Sequence, residues 1–374
     1  MRRLGVAAVV LLYGWVALGA AAAPRTTGWT IHDLGTLPPP FNIGSEAMAI
    51  NAHGVVIGFS NGRVGQRAFV WSKGRMRPLV GFGGFVQANA IAGDGDIVGE
   101  GLDAHQTHHH AILWHDGRPI DLGTLGGRVS AAEALNNHGQ VVGNSTTASG
   151  QEHAFLWENA TMTDLGTLGG TQSEAVAIND AGQVIGTSLT TSGAQHAFLW
   201  EQGTMTDLGS LPGEDSTPAA IDAHGTVVGS TNPSIYDPDH AVLWRDGTLR
   251  DLGSFDSTVK QATAINAAGQ ILVSTFRPDS HAFLWANGHA VEIGSRYTDA
   301  FGMNDHGLVV GTALFKKKGP QVPFVWQTGR ITALPTLGGQ GPPTSAAYRI
   351  NNSGWIVGRS FTNAGDRAVL WTPD

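Results

Sequence analysis

The chain contains no cysteine. That removes disulfides, a lipid-anchored cysteine and thiolate metal sites at once, so any fold must be held by packing alone. Charge is also scarce: Asp, Glu, Lys and Arg together make up 14% of residues, with a net charge of −8 and no basic stripe. Nucleic-acid binding rests on Lys and Arg neutralising phosphates, so a nucleic-acid partner is not expected. Helical periodicity is missing throughout, and long apolar runs are missing after the first residues. The one apolar run, Leu4 to Leu18, follows Arg2 and Arg3 and precedes small residues from Gly19 to Ala23. This is the pattern of a secretory signal peptide over residues 1–22, with Ala20 and Ala22 at the small-residue positions before the cut. The run is short for a bilayer span, which needs ~20 residues, so no membrane insertion is expected. The mature chain is expected to be secreted, either extracellular or periplasmic.

What the chain has in excess is glycine, 52 residues of it, and an internal repeat. Marker tryptophans stand at Trp71, Trp114, Trp157, Trp200, Trp244, Trp285, Trp326 and Trp371, at intervals of 41 to 45 residues. A period in this range points to a propeller or solenoid. Residues 23–374 therefore read as a single repeat domain of eight units of about 43 residues each. Each unit holds four short apolar or alternating runs: Ala-x-Ala-Ile, Gln-Val-Ile-Gly, His-Ala-Phe-Leu-Trp and Met-Thr-Asp-Leu-Gly, as between Ala132 and Gly209.

Turn signals separate the runs. Asn-x-x-Gly follows the first, as at Asn136/Gly139 and Asn179/Gly182, with Asp222/Gly225 and Ala92/Gly95 as variants. The Asn side chain caps the turn and the Gly takes the left-handed position. Trp-x-x-Gly joins the third and fourth runs, as at Trp114/Gly117 and Trp200/Gly203. Each unit is thus an antiparallel four-stranded meander. Small residues two and four places before the Asn site, such as Ala132 and Ala134, mark the first run as the innermost strand, where radial sheets crowd together.

The mature sequence opens with a lone fourth-strand segment, Trp29 to Gly35, and ends on a third-strand segment, Arg367 to Trp371. The two fragments complete one unit between them. The expected fold is an all-β, eight-bladed β-propeller of four-stranded antiparallel blades, closed by the N-terminal strand pairing with the C-terminal blade. A monomer is expected.

The repeated His-Ala-Phe-Leu-Trp at 153–157, 196–200 and 281–285, joined to Asp-Leu-Gly-Thr-Leu-Gly-Gly at 121–127 and 164–170, resembles the HAF-repeat family of bacterial extracellular proteins. The resemblance covers residues ~29–374 and implies an exported repeat protein. It carries no catalytic residues over. The surface-sorting tail common in that family has no counterpart at Trp371-Thr-Pro-Asp374, which leaves release expected rather than anchoring.

Candidate binding residues are those that break the repeat. The repeated histidines His110, His153, His196, His240 and His281 are expected to be structural, hydrogen-bonded to fourth-strand acids such as Asp121 and Asp164. By contrast His105, His108 and His109 sit on a unique loop beside Asp103. Imidazoles ligate zinc and copper, but no matching ligand can be placed opposite, so no metal and no cofactor are expected. Irregular insertions carry Tyr236 and, further on, Lys316 to Lys318. Arg349 replaces a small inner-strand residue and is expected to face the central channel, while Glu133 and Tyr348 are expected either to line the channel or to lie between blades.

The leading functional expectation is a non-catalytic binding scaffold whose loop-bearing rim holds a glycan, a polysaccharide or a cell-surface protein. The alternative is a polysaccharide lyase or glycoside hydrolase, with His105, His108, Tyr236 and Arg349 as the unusual candidates. Fold alone does not choose between such classes.

Overall fold

The computed structural model describes residues 28–103, 105, 107–232, 239–253, 255, 259–276, 279–315, 321–338 and 345–374. The expected signal peptide, Tyr236 and Lys316 to Lys318 lie outside them. The described chain forms eight four-stranded antiparallel sheets joined in a ring, a β-propeller, with no helix among the described residues. Blades one to seven span 44–78, 86–121, 126–164, 169–207, 215–251, 259–293 and 298–333. Blade three shows the common plan: Gly126–Leu135 innermost, then Val141–Thr147, Glu152–Glu158 and, outermost, Thr161–Asp164. Blade eight takes three strands from 346–373, and the strand Trp29–Gly35 completes it by pairing with Gly365–Pro373. Ile31 lies opposite Trp371 just as Met162 lies opposite Trp157, so the closing strand occupies the register of any other outer strand.

Local chemistry explains the meander. In each Asn-x-x-Gly turn the glycine has positive φ, +75° at Gly139 and +77° at Gly182. The Asn side-chain oxygen accepts the backbone N–H groups two and four residues on, as Asn136 does from His138 and Gln140. The outer hairpins put two successive residues at positive φ, as at Gln202 (+49°) and Gly203 (+84°). That is the signature of a type I′ turn, whose twist matches antiparallel strands.

Blades pack face to face, and the core is divided accordingly into eight apolar clusters, one at each junction. At the junction of blades two and three, Val98, Ala111 and Leu113 meet Leu122, Ala132, Val141 and Phe155. The inner-strand alanines Ala47, Ala132, Ala262 and Ala347 are fully buried, because neighbouring inner strands touch all the way round.

Two features go beyond the repeat pattern. Every inner strand carries a β-bulge between the residues four and two places before the turn Asn, as between Ala132 and Ala134. The bulge leaves the intervening residue without a register partner on the second strand. It also explains the glycine of the second strand: a Cβ at Gly143 would run into the backbone oxygen of Ala131.

The second feature is a relay of turn asparagines. Asn51 donates through Nδ2 to Ala92 O, Asn136 to Asn179 O, Asn179 to Asp222 O, Asn266 to Asn304 O, Asn304 to Asn351 O and Asn351 to Asn51 O, all at 2.9–3.1 Å. These buried amides staple six of the eight junctions. The other two are those where Ala92 and Asp222 replace asparagine.

Candidate functional site: the axial cavity

The bulge singles out one residue per blade, Met48, Asn89, Glu133, Val176, Ala219, Thr263, Phe301 and Tyr348, and three of them, Met48, Asn89 and Glu133, line a common cavity. Most are exposed although the alanines beside them are not. A cavity of about 410 Å³ opens here between blades one and two. Its walls include Met48, Phe59, Gln66 and Phe85, with Glu133 reaching in from blade three and Arg349 from blade eight.

Arg349 therefore faces the channel, as its break of the small-residue pattern implied. Its Nη1 donates to Phe301 O at 2.7 Å and to Tyr348 O at 3.0 Å, which fixes the guanidinium without neutralising it. Burial by the surrounding walls lowers its pKa. Burial also raises the Glu133 pKa, and the nearby carboxylates Glu100 and Glu174 add to the effect. Glu174 is raised likewise, by burial first and then by Glu152. Tyr348 is fully committed: its hydroxyl donates to Glu46 Oε2 at 3.0 Å, while Arg359 Nη1 donates to Glu46 Oε1 at 2.9 Å. Burial and the Glu46 charge push the phenol pKa up, so Tyr348 holds its proton.

The unique histidines divide in two. His109 donates from Nδ1 towards Glu100 Oε2 at 3.3 Å and packs on Phe85, with ring centroids 5.5 Å apart. Phe85 is a wall of the cavity, so His109 belongs to the support of the same site as Arg349. His105 is exposed, and His108 Nδ1 lies 2.9 Å from Thr107 Oγ1, inside a loop organised by Asp103. Asp103 accepts both the N–H and the hydroxyl of Thr107 at 2.7 and 2.9 Å, and these bonds hold its carboxyl down at about 2. Among the described residues no group of three or more histidines or acids is placed to hold a metal ion. No helix among them is long and apolar enough to cross a membrane.

The repeated histidines bind outer-strand acids of their own blades. Nδ1 of His110, His153, His196, His240 and His281 lies 2.7–2.9 Å from Asp121, Asp164, Asp207, Asp251 and Glu292. The aspartates also cap the next turn, Asp164 Oδ1 accepting from Gly166 N at 2.8 Å. Sequence reasoning noted Glu133 but missed Met48, Phe85 and Glu100. The available signal was the variable residue between two alanines, Met48 in Ala-Met-Ala and Glu133 in Ala-Glu-Ala.

No family model and no curated protein matches the chain. Solved structures do. The β-propeller domain of the Trilobed protease from Pyrococcus furiosus is similar over 78% of this chain and 96% of its own, at 9% identity and TM-score 0.51. A prolyl endopeptidase is similar over 85% of this chain and 54% of its own, at 10% identity and TM-score 0.53. A puromycin-hydrolysing peptidase of Mycobacterium tuberculosis is similar over 88% of this chain and 60% of its own, at 9% identity and TM-score 0.52. The chain thus spans just over half the length of these two peptidases. At such identity the likeness is one of fold.

It nonetheless corrects the functional expectation. The propellers reported above as similar to this chain are peptidase domains, and none is a glycan or surface-partner scaffold, so the comparisons speak against that expectation.

Proposed function

We propose that this chain is a peptidase-type propeller that binds polypeptide at its axial cavity. The observation that carries this reading is the cavity's mixed lining. Arg349 offers a cation to a carboxylate or a backbone carbonyl, Glu133 an acceptor to an amine or N–H, and Gln66 both kinds of group. Met48, Phe59 and Phe85 offer apolar contact between them. Peptides alternate amides with side chains of both characters, and match such a surface. The kinship of fold with peptidase propellers supports the same reading. The leader-like residues 1–22 and the resemblance to HAF-repeat proteins support an exported location.

Binding of short unstructured peptides and of neutral and uronate oligosaccharides to the purified chain, followed by titration calorimetry, tests it. Peptide binding that weakens about tenfold in the double variant Arg349→Ala/Glu133→Gln is expected. Peptide binding unchanged in that variant, or binding of oligosaccharide alone, overturns the proposal.

A further inference from the structure

The rim opposite the loops holds a second cavity, and it breaks the repeat in the same way as the first. The turns after the inner strands and the outer hairpins all lie on this rim. Between blades five and six it opens into a groove of about 490 Å³, lined by Arg245, Arg250 and Asp246 above Leu243, Ile265 and Trp285. No other blade combines arginines at these two positions: blade three has Glu158 and Thr163 there, blade four Glu201 and Thr206.

The local geometry prepares both arginines. In blades three and four the residue after the turn glycine is a glutamine, and it bonds the glutamate across the sheet, Gln140 with Glu158 and Gln183 with Glu201. In blade five that pair is replaced by Thr226 and Arg245, with Arg245 Nε donating to Thr226 Oγ1 at 2.9 Å. This bond orients the guanidinium and leaves its terminal N–H groups to other acceptors. The Arg250 guanidinium carbon stands 5.3 Å from the Trp285 ring centroid. Stacking uses the face of the guanidinium and leaves its N–H edge available for a planar carboxylate. Among the described residues neither arginine forms an ion pair. Two cations face one carboxylate, Asp246, so the groove is locally positive on a protein of net charge −8.

The groove also coincides with a gap in the asparagine relay. Asp222 takes the turn position in blade five, and its side chain has no N–H to donate to blade six. The junction therefore lacks the staple that spans six others.

We propose that this groove binds an acidic peptide, its carboxylate held between Arg245 and Arg250 and a neighbouring apolar side chain placed on Leu243, Ile265 and Trp285. The site is separate from the axial cavity and does not depend on the function proposed there. Bidentate pairing of guanidinium with carboxylate supplies the affinity, and the apolar floor selects which acidic segment fits.

The probe is a fluorescein-labelled peptide of alternating phenylalanine and aspartate, titrated into the full chain by fluorescence anisotropy. Arg245→Gln/Arg250→Gln is expected to weaken binding about tenfold or more, with melting unchanged because both side chains are exposed. The same tenfold fall is expected when the arginine pair is replaced in an Arg349→Ala background, which removes any share of the axial cavity in the binding. Replacing the peptide aspartates by asparagine, or separately its C-terminal carboxylate by an amide, identifies which carboxylate is held; loss in either arm supports the site. Binding unaltered by the double arginine variant, binding lost only in Arg349→Ala, or binding indifferent to both peptide changes overturns it.

Discussion

The His–acid pairs show why a repeated residue is a poor guide to function. In five blades the imidazole Nδ1 and a carboxylate of the adjacent strand meet at 2.7–2.9 Å, partly exposed, and tie the third strand to the fourth. Such a pair stabilises by a fraction of a kcal/mol to about 1 kcal/mol each, a structural contribution spread around the ring. Single exceptions are more informative. Ala160 occupies the second place of a type I′ turn at φ +60°, where six of the other hairpins have glycine. An L-residue there costs roughly 1–2 kcal/mol, so Ala160→Gly is expected to raise stability by about 1 kcal/mol, measured by denaturant unfolding. Glu133 is the exception at the axis. Its raised pKa means that folding disfavours the ionised form; the penalty is absent below the ordinary glutamate range and complete above the raised value. Glu133→Gln is therefore expected to increase the melting temperature at about pH 7 and to have little effect at about pH 4, a difference that thermal scans would reveal. An equal shift at both values would show that desolvation of this carboxylate is unimportant.

At the level of the blade, the turn asparagine has two duties. Its oxygen closes its own hairpin, which any Asx turn requires, while its amide reaches the next blade. Asn304→Ala removes both and leaves buried backbone groups unpaired. The expected loss is about 2–3 kcal/mol, read from the shift of the unfolding midpoint. The converse is Asp222→Asn. The new side chain keeps the acceptor used by His224 N and Thr226 N and gains an N–H for the carbonyl of Asn266. A gain of about 1 kcal/mol is expected. No gain would mean that the junction of blades five and six is spaced too widely for the staple.

On the scale of the whole ring, closure decides stability. Trp29–Gly35 covers the edge of Gly365–Pro373, and its side chains Trp29 and Ile31 pack against the cluster between blades seven and eight. A chain lacking residues 29–35 exposes both an unpaired strand edge and part of that cluster. It is expected to melt earlier and to aggregate, as scanning calorimetry with light scattering would show. Unchanged melting would mean that the last blade is stable with three strands.

The sequence by itself determined the parts of this molecule that depend on neighbours along the chain. The spacing of Trp71 to Trp371 counts the blades, Asn136/Gly139 and its equivalents place the hairpins, and the unmatched segments 29–35 and 367–371 announce the closing blade. These are short-range signals, repeated often enough to be read. Arg349 was legible for the opposite reason, as a departure from the repeat. What only the tertiary structure decided involves partners one repeat or more apart. The bulge that leaves Glu133 and Met48 unpaired is a matter of register with the next strand, which no residue pattern at those positions announces. The amide of Asn136 finds its acceptor 43 residues away. Arg245 and Arg250 become a site only because Trp285 of the next blade lies beneath them. Close approach of successive blades creates both cavities, and no local pattern in the chain records which side chains will meet across a junction.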